Sequence, residues 1–142
     1  MGRRRAIRRA PSIRGADKYA NSVLFVDRNT LVAYIASGMQ IFRTKPFAKA
    51  VKKLGMTEEE VRAVEEEIAA DHTAGDVIVG TSGARKIRFA MRGKGKRGGG
   101  RAIYVVVVKE DVTYMITAYS KATQDDLTND DKKAIKAFVD SL

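Results

Sequence analysis

The chain contains no cysteine, so disulfides, thiolate catalysis and cysteine zinc sites are excluded together. That lack also fits a reducing cytoplasm, where such bonds are rare. Tryptophan is absent, and the single histidine, His72, sits in the polar run AADHTAGD, where it reads as a loop residue rather than a ligand. With one histidine, no cysteine and no Gly-x-Ser-x-Gly elbow, a serine or cysteine triad is not on offer. No apolar run approaches the roughly 18 residues of a membrane-spanning helix, so no membrane is expected as a partner.

What is present is positive charge, and it is unevenly placed. The 142 residues, about one domain's worth, carry a formal net charge of +10. Residues 1–38 hold +6 of it. Residues 81–101 contain Arg85, Lys86, Arg88, Arg92, Lys94, Lys96, Arg97 and Arg101 without a single acid, a local +8. The remainder after Met39 is mildly acidic. A focused basic patch on an acidic body points to a polyanionic partner, with nucleic acid first.

The opening MGRRRAIRRAPSIR reads as a disordered basic arm. The stretch SVLFVDRNTLVAYIA that follows could form a short strand or helix. Asp27 and Arg28 interrupt the apolar region that a secretory leader would need. Gly38 and Met39 mark a boundary, and residues 1–38 are expected to be an appendage, with Met39 a natural start for the domain.

From Gln40 the pattern turns regular, with QIFR a further strand candidate. Phe47, Val51 and Leu54 recur at helical spacing until Gly55, and Thr57 with Glu60 forms a capping box for a second helix striped by Val61, Val64 and Ile68. The glutamates at 58–60 and 65–67 read as a solvated face rather than as metal ligands. Beyond Gly75 the period becomes two: Ile87, Phe89 and Met91 alternate with Lys86, Arg88 and Arg92. Arg101 to Val108 is apolar enough for a strand buried on both faces. Lys109 to Asp111 make a turn, and Val112 to Tyr119 form the next strand. Thr128 and Asp131 cap a last helix with Ile135, Phe138, Val139 and Leu142 along its stripe. The expectation is an α+β domain whose helices pack on one face of a small antiparallel sheet.

Between the first two basic strands lies RGKGKRGGGR, in which Gly93, Gly95 and Gly98 spell G-x-G-x-x-G. That fingerprint needs a helix after it, so that pyrophosphate meets a helix N-terminus, and here a strand follows. No Gly-Lys-Ser/Thr triplet is present either. The stretch therefore reads as a pliant basic connection, and no cofactor is expected.

The chemistry left to this composition is a basic sheet face: Lys86 and Arg88 on one strand, Arg101 opening the next, Tyr119 and Lys121 closing the third. Clustered cations can stabilise the extra charge on a pentacovalent phosphate, and RNA brings its own nucleophile in the 2′-hydroxyl. No carboxylate pair is expected near the patch, which argues against two-metal phosphoryl transfer. From residue chemistry alone, a metal-free ribonuclease and plain RNA or DNA binding stay equally open.

GTSGARKIRFA, GKGKRGGGRAIY, TAYSKATQDDLT and the closing KKAIKAFVDSL resemble, in order and spacing, the RelE/ParE toxin superfamily of type II toxin–antitoxin systems, most of all its HigB-like RelE branch. The resemblance runs from about Met39 to Leu142. It implies a fold similar to the microbial ribonucleases, with an N-terminal helical hairpin packed on a small antiparallel sheet and a C-terminal helix. It implies a metal-independent endoribonuclease that cuts mRNA in the ribosomal A site by 2′-hydroxyl attack, silenced by a cognate antitoxin. By position, Lys86 and Arg88 resemble the paired strand cations, one of them the general base. Arg101 resembles the arginine that clamps the scissile phosphate, and Lys121 another phosphate-stabilising cation. Lys94 and Lys96 match a GKSGG-type loop, with Arg97 in place of a small residue and Lys96 a second candidate base. The base-stacking tyrosine of RelE falls near Leu127, which cannot stack, so Tyr119, or more weakly Tyr104, is the proposed substitute. Arg85, Arg92, Lys94, Arg97 and Tyr104 complete the expected RNA-binding set. A ParE-like DNA gyrase inhibitor and a non-catalytic nucleic-acid-binding module are the alternatives.

Overall fold

A computed structural model describes residues 30–36, 38–91 and 99–142. It opens with two strands, β1 (Thr30–Ala36) and β2 (Met39–Thr44), paired as an antiparallel hairpin about Gly38, whose φ of 81° suits glycine. Thr44 ends β2 and caps α1 (Lys45–Leu54): its Oγ1 accepts from the Phe47 amide and donates toward the carbonyls of Met115 and Ile116. Gly55 then closes α1 in the left-handed conformation. Thr57 and Glu60 form the expected capping box and start α2 (Glu58–Ala70). The rest runs β3 (Asp76–Val77), β4 (Arg85–Phe89), β5 (Gly100–Val107), a 3-10 turn at Val108–Glu110, β6 (Val112–Ser120) and α3 (Asn129–Asp140). Thr128 and Asp131 make a second capping box at the head of α3.

The sheet order is β1-β2-β6-β5-β4-β3. All neighbours are antiparallel except β2 and β6, which run parallel. The fold class is thus α+β, but the expected all-antiparallel sheet is mixed. Nor is the helical pair N-terminal, because two strands precede it. The sheet begins ahead of Met39, and the strand alternative for 30–36 is the one realised.

Alternation along the strands sorts the core into two layers. Phe47 of α1 and Val61, Val64 and Ile68 of α2 pack on Ile41, Ile87, Phe89, Ala102, Tyr104, Met115 and Ala118. On the opposite face Ile135, Phe138, Val139 and Leu142 meet Phe42, Ile103, Val105, Val112, Tyr114 and Ile116. Tyr114 stacks on Phe42 at 5.4 Å between ring centroids and meets Phe138 edge-on at 5.7 Å. Helices therefore cover both faces, not one as expected. β5 is buried on both sides from Gly100 to Val105 because it lies between these layers.

Glu65 corrects a second expectation. It belongs to a run read as a solvated face, yet it is fully buried against Arg43 of β2. Among the described residues no helix is long and apolar enough to cross a membrane.

A candidate phosphate-binding face

The register of the three central strands assembles the site. Arg88 on β4 lies opposite Arg101 on β5, and Arg101 lies opposite Tyr119 on β6, so the three form one row across the sheet. Directly opposed residues share a face, and so do residues two apart on one strand. Lys86 therefore joins the row on the same side, opposite Ile103. This is the face that carries α3, at the end where the 121–128 loop crosses from β6.

Each side chain is held differently. Arg88 is exposed, with its guanidinium free to reach solvent anions. Arg101 is buried to 8% exposure, and its Nη1 donates to the Gly100 carbonyl at 3.0 Å. Lys121 stands at the end of β6: its amide donates to Gly99 O at 3.1 Å and its Nζ to Asp125 O at 3.2 Å. Those bonds place it beside the start of β5. On the opposite face Gly100 makes room for the Phe89 ring, since a Cβ there would collide with that ring and come 2.7 Å from the Tyr119 carbonyl.

Tyr119 is only 6% exposed, and its ring belongs to the α3-side core with Leu127. Such a ring has no face to offer a nucleobase, so the stacking role expected for it is not supported by its placement. Its hydroxyl is buried, meets no partner in strict hydrogen-bond geometry, and makes a loose hydrogen bond to the Asp126 carboxylate. Burial raises the Tyr119 pKa, the nearby Asp126 charge adds to that, and Arg101 pulls the other way. Leu127, where RelE toxins would stack a tyrosine, is a core residue here.

Two expected members lie on the other face. Tyr104 is fully buried, donates its hydroxyl hydrogen to the His72 carbonyl at 2.8 Å and accepts from the Gly75 amide at 2.9 Å. Burial raises its pKa. Arg85, opposite Tyr104, donates to the Gly75 carbonyl at 2.7 Å. Both tie the 71–77 segment to the sheet and stand apart from the row. Arg92, Lys94, Lys96 and Arg97 lie outside the described residues.

One group at this face has no counterpart in the sequence expectations. Asp126 Oδ1 lies 3.2 Å from Lys86 Nζ, so a carboxylate does stand beside the basic patch. Its pKa is lowered, first by the Leu127 amide and then by Lys86, against the opposing effect of burial. The acid is visible in TAYSKATQDDLT, but only the fold closes the 40-residue gap to Lys86.

An α+β domain with a row of cations across a central strand, open to an anion, is the class these features define. A family model described as the RelE toxin of the RelE/RelB toxin–antitoxin system matches residues 39–142. The chain therefore belongs to the RelE toxin family, and its role is that of the toxin in a toxin–antitoxin pair, with an antitoxin as partner.

Proposed function

We propose that this toxin is a ribosome-dependent mRNA endoribonuclease of the HigB-like branch, acting in the cytoplasm on mRNA in the ribosomal A site, with 39–142 as the toxin domain. The observation that carries the reading is the in-register row Arg88–Arg101–Tyr119 with Lys86 and Lys121 at its ends. In the reaction the RNA 2′-oxygen forms a bond to phosphorus and the bond to the 5′-oxygen breaks. The 2′-hydroxyl proton passes to a base, Lys86 or Lys96, and the 5′-oxygen leaves with a proton taken from water. Arg88, Arg101 and Lys121 hold the phosphate as its charge grows, which is where fixed cations lower a barrier most. These cations take the place that metal ions fill in other nucleases. Tyr119, in register with Arg101, packs beside that arginine and orients it.

Primer extension on an mRNA translated in vitro tests this. Cuts in codon phase that need ribosomes and vanish with Arg101→Ala are the expected result. Intact mRNA together with inhibited DNA gyrase would replace it with the ParE-like reading. Salt-dependent binding without cleavage would leave a nucleic-acid-binding module.

A further inference from the structure

Asp126 is the feature that this scheme does not use. We propose that it is a positioning residue acting through Lys86, fixing its ammonium beside the Arg88–Arg101 row where an RNA phosphate binds, so that here Lys86 serves as a phosphate-holding cation and not as the base. The proposal rests on the endoribonuclease reading above for the identity of the reaction, but not for the binding geometry.

The carboxylate is set by a frame that owes nothing to Lys86. Leu127 anchors the loop in the core at 8% exposure. The Leu127 amide donates to Asp126 Oδ1 at 2.8 Å, and Gln124 Nε2 donates to the Asp126 carbonyl at 2.9 Å. The Thr128–Asp131 capping box then fixes the start of α3 immediately downstream. Lys86, by contrast, is a long flexible chain on a strand, with three rotatable donors and no shape of its own. Pairing it to a rigid acid confines it to one position.

The electrostatics favour a functional explanation over a stabilising one. The pair is open to solvent, with side-chain exposures of 29% for Lys86 and 55% for Asp126. Pairs of that kind contribute little to folding. Asp126 also places a negative charge where an anion must bind, which opposes phosphate. The groups around it are Lys86, Lys132, Asp125 and the buried Tyr119 hydroxyl, with Arg101 beyond the tyrosine. A contact that adds little stability and works against ligand affinity has a role if it orders Lys86 for the reaction.

The test is a double-mutant cycle on the full chain. Asp126→Asn keeps an oxygen to accept from the Leu127 amide, so the loop frame survives while the charge is lost. Turnover on mRNA-programmed ribosomes is expected to fall about tenfold, the scale of a modest misplacement. Affinity for an uncuttable 2′-deoxy-substituted RNA oligonucleotide is expected to rise about threefold, within the range of an exposed charge pair. In a Lys86→Ala background the same change should leave turnover unaltered and raise affinity by a different factor, since the charge still opposes phosphate but no longer holds Lys86. Asp126→Glu should restore most of the turnover. Equal effects with and without Lys86 would overturn the proposal, as would unchanged turnover in Asp126→Asn. So would parallel loss of turnover and affinity with a lowered melting temperature, the mark of loop collapse. If the wild-type chain cuts nothing on ribosomes, the endoribonuclease reading fails by itself. The affinity half of the cycle then decides: coupling between positions 126 and 86 upholds the assignment, and additivity removes it.

Discussion

Arg43 and Glu65 form a two-pronged ion pair inside the domain, Nε to Oε2 at 2.8 Å and Nη2 to Oε1 at 2.7 Å. The guanidinium's other edge reaches the Glu58 carboxylate with two bonds of 2.9 Å. One arginine on β2 thereby clamps two turns of α2 to the sheet. Burial works against its charge, but the hydrogen bonds to Glu65 and then Glu58 outweigh it and raise the Arg43 pKa.

Breaking this pair from one side leaves a charge stranded in the core. Arg43→Ala, which strands the buried Glu65, should cost about 3–5 kcal/mol of unfolding free energy, and Glu65→Ala less, because Glu58 still pairs with Arg43. Denaturant titration followed by circular dichroism measures it. Replacing both together, Arg43→Met with Glu65→Leu, should recover most of the loss, because no unpaired charge remains.

Glu58 makes the clamp sensitive to acid. Its hydrogen bond to Arg43, aided by Arg62 and opposed by burial, lowers its pKa below 4.5. A depressed carboxylate contributes stability above its unfolded pKa and loses it as pH falls through the folded value. Urea unfolding between pH 6 and pH 3 should therefore show stability falling below about pH 4.5. Glu58→Gln should flatten that part of the curve, although the half-exposed group keeps the effect small.

Gly100 tests the packing under the row. Gly100→Ala would drive a methyl group into the Phe89 ring and toward the Tyr119 carbonyl. Overpacking of this kind costs about 1–3 kcal/mol. A lower melting temperature is the expected outcome, with weaker cleavage because Arg101 is the next residue.

Arg101→Ala separates chemistry from folding. The proposed cleavage should drop by about 10²–10³, as for loss of one oxyanion donor. Arg101→Lys should recover little, since a point charge does not reproduce a planar fork. Thermal unfolding run alongside shows how much of the loss is structural.

Tyr119→Phe removes a buried hydroxyl that makes only a loose hydrogen bond, to Asp126. Stability should change by less than about 1 kcal/mol, because losing that bond and removing a poorly satisfied buried group oppose each other. A calorimetric scan checks this, and an unchanged cleavage rate would limit Tyr119 to its packing role beside Arg101.

The helices and central strands were legible from local pattern, because caps and periodicity act within a few residues. Thr57 with Glu60, Thr128 with Asp131, and the alternation in Lys86 to Phe89 all appear as read. The basic row was legible only as a set of residue types: nothing local aligns Arg88 with Arg101 and Tyr119. Arg85 and Tyr104 show the limit, since a one-residue step along a strand moves a side chain to the other face. Glu65 reads as solvated because the rest of its run is acidic, and only Arg43, 22 positions away, justifies burying it.

Composition and periodicity determined by themselves an α+β chain, helices with defined starts, and a concentrated positive charge suited to a polyanion. Tertiary structure alone decided that β2 runs parallel to β6, that α3 takes the face opposite α1 and α2, and that Asp126 meets Lys86. The physical reason is range. Caps, turns and side-chain alternation are settled by neighbours in the chain, whereas strand pairing and charge partners are selected by burial among distant segments, after the core has chosen which faces to cover.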